Sequence, residues 1–363
     1  QGCRSEPAAR LHPATAVVSL RVPARKRQSR MNQKPLMKTV LLKSVLLAGL
    51  VGLSASVIRA GEEDDLIALL QSSADAPAKC AACQKLRTVG TARSVPALAA
   101  LLGEERTSQA ARYALEAMPG PEAVAAMRKA LGRTSGLLKA GLIDSLGWRH
   151  DKGSVPLLVP LLTSGDTALA AAAAGALGHI GGKKAIAALV AAQDNAAPAV
   201  RPAVRNGLLQ CAETLLAAGD AKGAAKLYRS LFSAGCPEVI RVAAWRGLAI
   251  ADSRQRPNLL KQALAGQDRL LRVAALKLLR ELNDAAVLEA CLREWSVLPA
   301  EARLAVLDAQ VKFGREALPT ARSAVTSPQL AVRVAGCQAR AELRAPPTHP
   351  TLSRISARGQ TDE

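Results

Sequence analysis

The sequence predicts an all-α fold, a right-handed α-solenoid of helical hairpins, on three observations. First, a motif returns about every 31 residues: Arg201-Pro-Ala-Val-Arg-Asn-Gly-Leu208, Arg241-Val-Ala-Ala-Trp-Arg-Gly-Leu248, Arg272-Val-Ala-Ala-Leu-Lys-Leu-Leu279, then Arg303-Leu-Ala-Val and Arg333-Val-Ala-Gly. A fixed period of this size marks units that stack only on their neighbours. Second, a leucine anchor keeps the same step, at Leu115, Leu146, Leu177 and Leu208, with Leu86 before and Leu248 and Leu279 after. Third, 49% of the chain is hydrophobic but only 2% aromatic. An alanine- and leucine-rich mixture suits closely packed helices and suits strands poorly.

Taken in order, residues 1–30 are rich in Arg, Pro, Ser and Ala, include Arg25-Lys-Arg-Gln-Ser-Arg30, and hold nothing that can form a core. They are expected to be disordered and outside the mature protein. Residues 31–60 read as a secretory signal peptide. Lys34, Lys38 and Lys43 precede a charge-free apolar run from Ser44 to Ile58, and small residues lead to Ala60 before the acidic Gly61-Glu-Glu-Asp-Asp65. The run is short for a spanning helix of ~20 residues. An uncleaved anchor is the alternative. Cleavage near Ala60 implies an extracytoplasmic, periplasmic or secreted location, with no stable membrane span afterwards.

Residues 61–343 carry the repeats, about nine helical hairpins, of which residues 154–182 show the pattern. Ser154-Val-Pro-Leu-Leu-Val-Pro-Leu-Leu162 is a first helix with Ser154 as its expected N-cap. Pro156 falls in the first turn, whereas Pro160 requires the helix to be short or kinked. After a turn at residues 163–166, a second helix runs from Thr167 to Ile180 and stops at Gly181-Gly182. Its apolar stripe is Leu169, Ala172, Ala173, Ala176, Leu177 and Ile180, one helical face. Leu271, Ala274, Ala275, Leu278, Leu279 and Leu282 fill the same columns in a later unit. One such hairpin buries too little surface to fold alone, so the stack supplies the core. Asp268 is expected to cap its helix and pair with Arg272, four residues on. The tail from Arg344 to Glu363 is polar and Pro-rich and is expected to be disordered.

The unit Ala176-Leu-Gly-His-Ile-Gly181, followed by Ala185-Ile-Ala-Ala-Leu189, resembles HEAT repeats, in particular the short bacterial kind found in phycobilisome bilin lyases. The resemblance implies an exported armadillo-like array whose second helices line a concave binding side. It is specific for fold and weak for function, because such arrays mostly present surfaces to other macromolecules. One step is longer: Leu248 follows Leu208 by 40 residues. The extra stretch, Leu215 to Tyr228, looks like half a tetratricopeptide repeat and predicts an inserted helix. Gln310 and Arg340 stand where leucine is expected.

Little in the chain points to chemistry. No Ser–His–Asp or HExxH arrangement and no phosphate-binding Gly loop is present, so no enzyme, cofactor or metal is predicted. Cys80-Ala-Ala-Cys83 is a single CxxC with Gln84 where haem attachment would need His. Packed thiols explain it best; a disulfide or a metal or redox role are the other readings. Export allows disulfides, and Cys211–Cys236, flanking the inserted helix, is the candidate pair. Glu62-Glu-Asp-Asp65 reads as acids opening the first helix rather than a cation site.

Trp148 and His179 stand two residues past the anchor in adjacent units, and Arg112, Arg205 and Trp245 stand three before it. Stacking brings each column together, so these five are the candidate partner-contact residues. The formal charge of +20 is uneven: residues 1–60 hold eleven Lys/Arg and one acid, and the rest 38 Lys/Arg and 28 acids. Three Trp, two Tyr and two Phe leave few platforms for base stacking, so specific nucleic-acid binding is not expected. The function expected is a non-catalytic scaffold for a protein partner. The alternatives are an arm of a larger enzyme or bilin-lyase-like module, and a polyanion-binding array.

Overall fold

The computed structural model describes residues 61–344 apart from 234, 283 and 313. The readings of residues 1–60 as leader and signal, and of the tail beyond 344, lie outside the described residues. Among those described there are eighteen α-helices and no strand. They pair in order as nine hairpins: α1 (61–71) with α2 (Ala76–Val89), α3 (Val95–Ala100) with α4 (Ser108–Ala117), and α5 (Pro121–Leu131) with α6 (Gly136–Trp148). Next come α7 (Val155–Leu158) with α8 (Thr167–Ile180), α9 (Gly182–Asn195) with α10 (Arg201–Ala217), and α11 (Ala221–Leu231) with α12 (Glu238–Ala251). The last are α13 (Arg256–Ala265) with α14 (Arg269–Glu281), α15 (Ala285–Arg293) with α16 (Ala300–Val311), and α17 (Leu318–Val325) with α18 (Leu330–Arg344). The fold is an α-solenoid.

Local chemistry sets these boundaries. Aspartates open many of the helices: Asp75, Asp166, Asp220, Asp268 and Asp284 each accept backbone N–H groups of the first turn. Prolines sit in the first turn of α2, α3, α5, α7, α10, α13 and α17, where a missing N–H costs little. Pro160 acts as expected: α7 stops at Leu158 and a 3-10 turn, Val159–Thr163, replaces it. Ser154 does not cap α7 with its side chain. Its hydroxyl donates to Asp151 Oδ2 at 2.5 Å, and Asp151 accepts from the Gly153 N–H. Asp151 caps instead the 3-10 turn Lys152–Ser154 that leads into α7. Gly181, at φ +62°, ends α8 in a conformation that disfavours a side chain.

The second helices form a continuous spine, each packed on the one before it: α2, α4, α6, α8, α10, α12, α14, α16 and α18 in turn. The elements in substantial contact are all neighbours within one or two helices in order, which is what stacking demands. The core follows the spine as three successive stretches, Leu66 to Leu248, Trp245 to Ala309 and Leu307 to Ala339. Small residues let the helix backbones touch. A methyl added to Gly178 would lie 2.6 Å from Gly207 Cα, and one added to Gly147 would lie 2.7 Å from Ala176 Cα.

The helix expected in the 40-residue step is α11, capped by Asp220. It takes the first-helix place of the α11–α12 hairpin and packs on both α10 and α12. The step is long chiefly because α10 continues to Ala217, well past its anchor Leu208, whereas α8 ends at Ile180, just after Leu177.

The arginine column ties each second helix to the turn before it and also reaches the next repeat. Arg201, Arg272, Arg303 and Arg333 donate to carbonyls of their own hairpin's turn, and Arg241, Arg272 and Arg303 contact the following repeat. Asp268 caps α14 as expected, but its carboxylate pairs with Arg241 of the preceding repeat, at 2.7 Å. Arg272 pairs instead with Glu301 of the next repeat, at 3.1 Å, and also donates to the Gly266 carbonyl. Arg303 continues the series, donating to Gln329 Oε1 at 3.0 Å and to the Ser296 carbonyl at 2.6 Å.

Glu63 ties the first hairpin to the second. Its buried carboxylate accepts from Thr91 N–H (2.7 Å), Thr91 Oγ1 (2.9 Å) and Ser94 Oγ (2.5 Å). Burial pushes this carboxyl up, but the bonds from Ser94 and Thr91 outweigh it and hold it below the usual range. The acids at 62–65 therefore serve a joint between helices, and Asp64 pairs with Arg93.

Candidate partner-binding face

The spine has one side that the first helices do not cover. It is marked by the column two residues before each anchor: Gln84, Tyr113, Asp144, Gly175, Asn206, Arg246, Lys277 and Asp308. All are exposed except Gly175, which is half-buried. The core columns are mostly apolar, whereas this column mixes acids, bases, amides and a phenol. A solvent-facing column of mixed polar residues is not what packing requires.

The column two past the anchor joins this face at Trp148, His179 and Gln210. As the shared column implies, the Trp148 and His179 rings meet across the α6–α8 seam, with centroids 4.7 Å apart and planes tilted 31°. Gln210 Nε2 donates to His179 Nδ1 at 2.8 Å, and His150 Nδ1 donates to the His179 carbonyl at 2.5 Å. Burial, then the nearby His150, pushes the His179 imidazole below its ordinary value, so the ring accepts from Gln210 as a neutral group. Trp148 is 63% exposed, although its ring is held in place.

The other expected column is a seam, not a surface. Trp245 is 1% exposed and belongs to the core, together with Ile143, Ala174 and Leu307 at the equivalent places. Arg112 is half-buried and occupied: it donates to the Gly141 carbonyl (2.8 Å) and to Ser145 Oγ (2.9 Å). Arg205 is half-buried with its Nε enclosed. Three residues before the anchor, a side chain points at the next helix of the spine. The apolar majority in that column was the sequence signal for this.

Two grooves flank α4 on the exposed face. One, between α2 and α4, has a volume of about 440 Å³ and is lined by Cys80, Gln84, Arg87, Arg106, Gln109, Ala110 and Tyr113. The other, between α4 and α6, has about 470 Å³ and includes Gln109, Arg112 and the exposed Leu137. Tyr113 was not singled out in the sequence, although its column of polar residues placed it on this face. Further along, burial raises the carboxyls of Asp144 and Glu213 above the usual range, although both keep exposed surface. Crowding by the flanking helices is the physical cause.

Cys211 and Cys236 are unbonded. Cys211 Sγ faces the preceding helix, 3.6 Å from the Gly178 carbonyl, while Cys236 lies by Ser233 in the turn before α12. The bridge expected from their spacing fails because Cys211 points back along the spine. Cys80 and Cys83 are also free thiols. Burial, aided by Cys80, pushes the Cys83 thiol up to about 11. Among the described residues, no group of three or more His, Cys, Asp or Glu is placed to hold a metal ion, and no helix is long and apolar enough to cross a membrane.

Residues 131–209 match the HEAT-repeat family. That stretch is HEAT-like. That matched stretch holds α6 to α10, with the Trp148–His179 pair at its centre. No curated protein sequence is similar enough to match. Among solved structures, human deoxyhypusine hydroxylase in complex with glycerol is 20% identical, over 69% of this chain and 96% of that one, with a TM-score of 0.33. An engineered protein is 19% identical over 80% and 90%, with a TM-score of 0.35. The complex of CpcE and CpcF of phycocyanin lyase from Nostoc sp. PCC7120 is 19% identical over 88% and 100%, with a TM-score of 0.30. Likeness at this level says nothing of function.

Proposed function

We propose that this HEAT-like array is a non-catalytic, exported scaffold that binds a protein partner along the exposed face of its second helices. The observation that carries this is Trp148: an indole 63% exposed, stacked on His179, in a chain with only three Trp. A large aromatic held rigid at the surface is what partner-binding hot spots use. The neighbouring column of unlike polar residues supplies specificity, and a preformed array keeps the ordering cost of binding low. The thiols of Cys83, Cys211 and Cys291, each pushed up by burial to about 11, are not nucleophiles at neutral pH. Export rests on the basic, apolar, small-residue order of residues 31–60.

The test is capture of partners on the full chain from an extracytoplasmic fraction, beside Trp148→Ala and His179→Ala. Saturable, salt-tolerant capture that falls about tenfold or more in Trp148→Ala, with far-UV circular dichroism unchanged, supports the reading. Capture that both substitutions leave intact refutes it. Binding that collapses with salt would favour the polyanion alternative.

A further inference from the structure

We propose that the groove between α2 and α4 is where the partner is read, and that it takes a carboxylate-bearing, acidic segment of that partner. The inference rests on the scaffold reading above and specifies its chemistry. The groove is lined from the same face of two successive second helices, by Cys80, Gln84 and Arg87 on one side and Gln109, Ala110 and Tyr113 on the other, with Arg106 at its edge. Two of these residues are arginines and none is an acid. Arg87 and Arg106 are exposed, and neither enters an ion pair among the described residues. Their guanidinium groups are available for the two-point bonds that carboxylates accept.

Tyr113 makes the groove directional. Gln109 Nε2, one turn earlier on α4, donates to Tyr113 Oη at 3.2 Å, so the phenol accepts within its own helix and its own proton is free for a ligand. The Arg112 guanidinium lies over the ring, 5.8 Å from its centroid. Arg112 is itself fixed by Gly141 and Ser145 of α6. Tyr113, Arg87, Arg106 and Gln84 thus bring a phenol, two guanidinium groups and an amide to the lining of about 440 Å³. That volume suits one or two acidic side chains. Base stacking would need an open aromatic pair, and Tyr113 is the only aromatic residue lining the groove, which favours a protein segment over a nucleic acid.

The experiment titrates the full chain with a fluorescein-labelled oligoglutamate peptide, followed by anisotropy at fixed salt. Arg87→Glu/Arg106→Glu is compared with Lys183→Glu/Lys184→Glu, the same charge change at exposed positions of α9 outside the groove. The groove variant is expected to bind about tenfold or more weakly than this control, and Tyr113→Phe about fivefold more weakly than the unaltered chain, all with unchanged circular dichroism. Equal loss in both charge variants overturns the assignment, because it reduces the binding to overall charge. Tighter binding of a charge-matched single-stranded oligonucleotide through the same arginines overturns the protein-segment assignment. If partner capture is lost in Trp148→Ala but kept in Arg87→Glu/Arg106→Glu, the groove assignment fails and the scaffold reading stands.

Discussion

Gly178→Ala and Gly175→Ala put one methyl on the same helix, three residues apart, with opposite expected signs. At Gly178 the new Cβ would lie 2.6 Å from Gly207 Cα and 3.0 Å from Gly207 O, both backbone atoms of α10. Ordinary contact begins at 3.4 Å, so α8 and α10 must part by about 0.8 Å or bend. Overpacking of this kind costs about 1–3 kcal/mol. The better helix propensity of alanine offsets at most about 1 kcal/mol. The net expectation is destabilisation by about 1–2 kcal/mol, centred on the α8–α10 seam. At Gly175 nothing lies within 4 Å of the added methyl, so only the propensity acts and stability rises by about 0.5–1 kcal/mol. Urea denaturation followed at 222 nm reads the shift in midpoint. Hydrogen exchange of α8 and α10 amides shows whether the loss is local, which matters because stacked repeats need not unfold in one step. A Gly178→Ala protein as stable as the unaltered chain would refute the close backbone approach, and with it the account of why these columns are small.

Four further outcomes follow from the same structure. Glu63→Ala strands the Thr91 N–H and the Thr91 and Ser94 hydroxyls, and should cost about 2–3 kcal/mol and free the first hairpin, seen as early hydrogen exchange in residues 61–90. Because the Glu63 carboxyl is lowered in the folded chain, its contribution is present above the ordinary carboxylate range and lost as pH falls through the folded value; urea midpoints at neutral and acid pH should converge in Glu63→Gln relative to the unaltered chain. Trp245→Ala should destabilise by about 3–5 kcal/mol, while Trp148→Ala changes the melting temperature little, which calorimetry distinguishes. In the native protein, mass spectrometry after mild alkylation at pH 8 should find Cys337 modified and Cys83, Cys211 and Cys291 intact; labelling of all in parallel would contradict their burial.

The sequence by itself determined the unit and the way units repeat. A stripe with helical spacing, returning every 31 residues, admits few packings other than hairpins side by side. Stacking along a fixed direction also makes equal columns spatial neighbours, and that is why the meeting of Trp148 and His179 was legible before any coordinates. Pro160 and Gly181 announced their breaks because their backbone preferences are local. What only the tertiary structure decided is where each side chain ends. An aspartate four residues before an arginine can pair along its own helix or across to the next repeat, and Asp268 chose Arg241 because the stacking distance brings that guanidinium to the cap. A column fixes a side chain's direction about its helix, not the depth at which the neighbouring helix closes over it. So Trp245 is sealed, Arg112 is half-held and Tyr113, one residue further round, is left facing solvent.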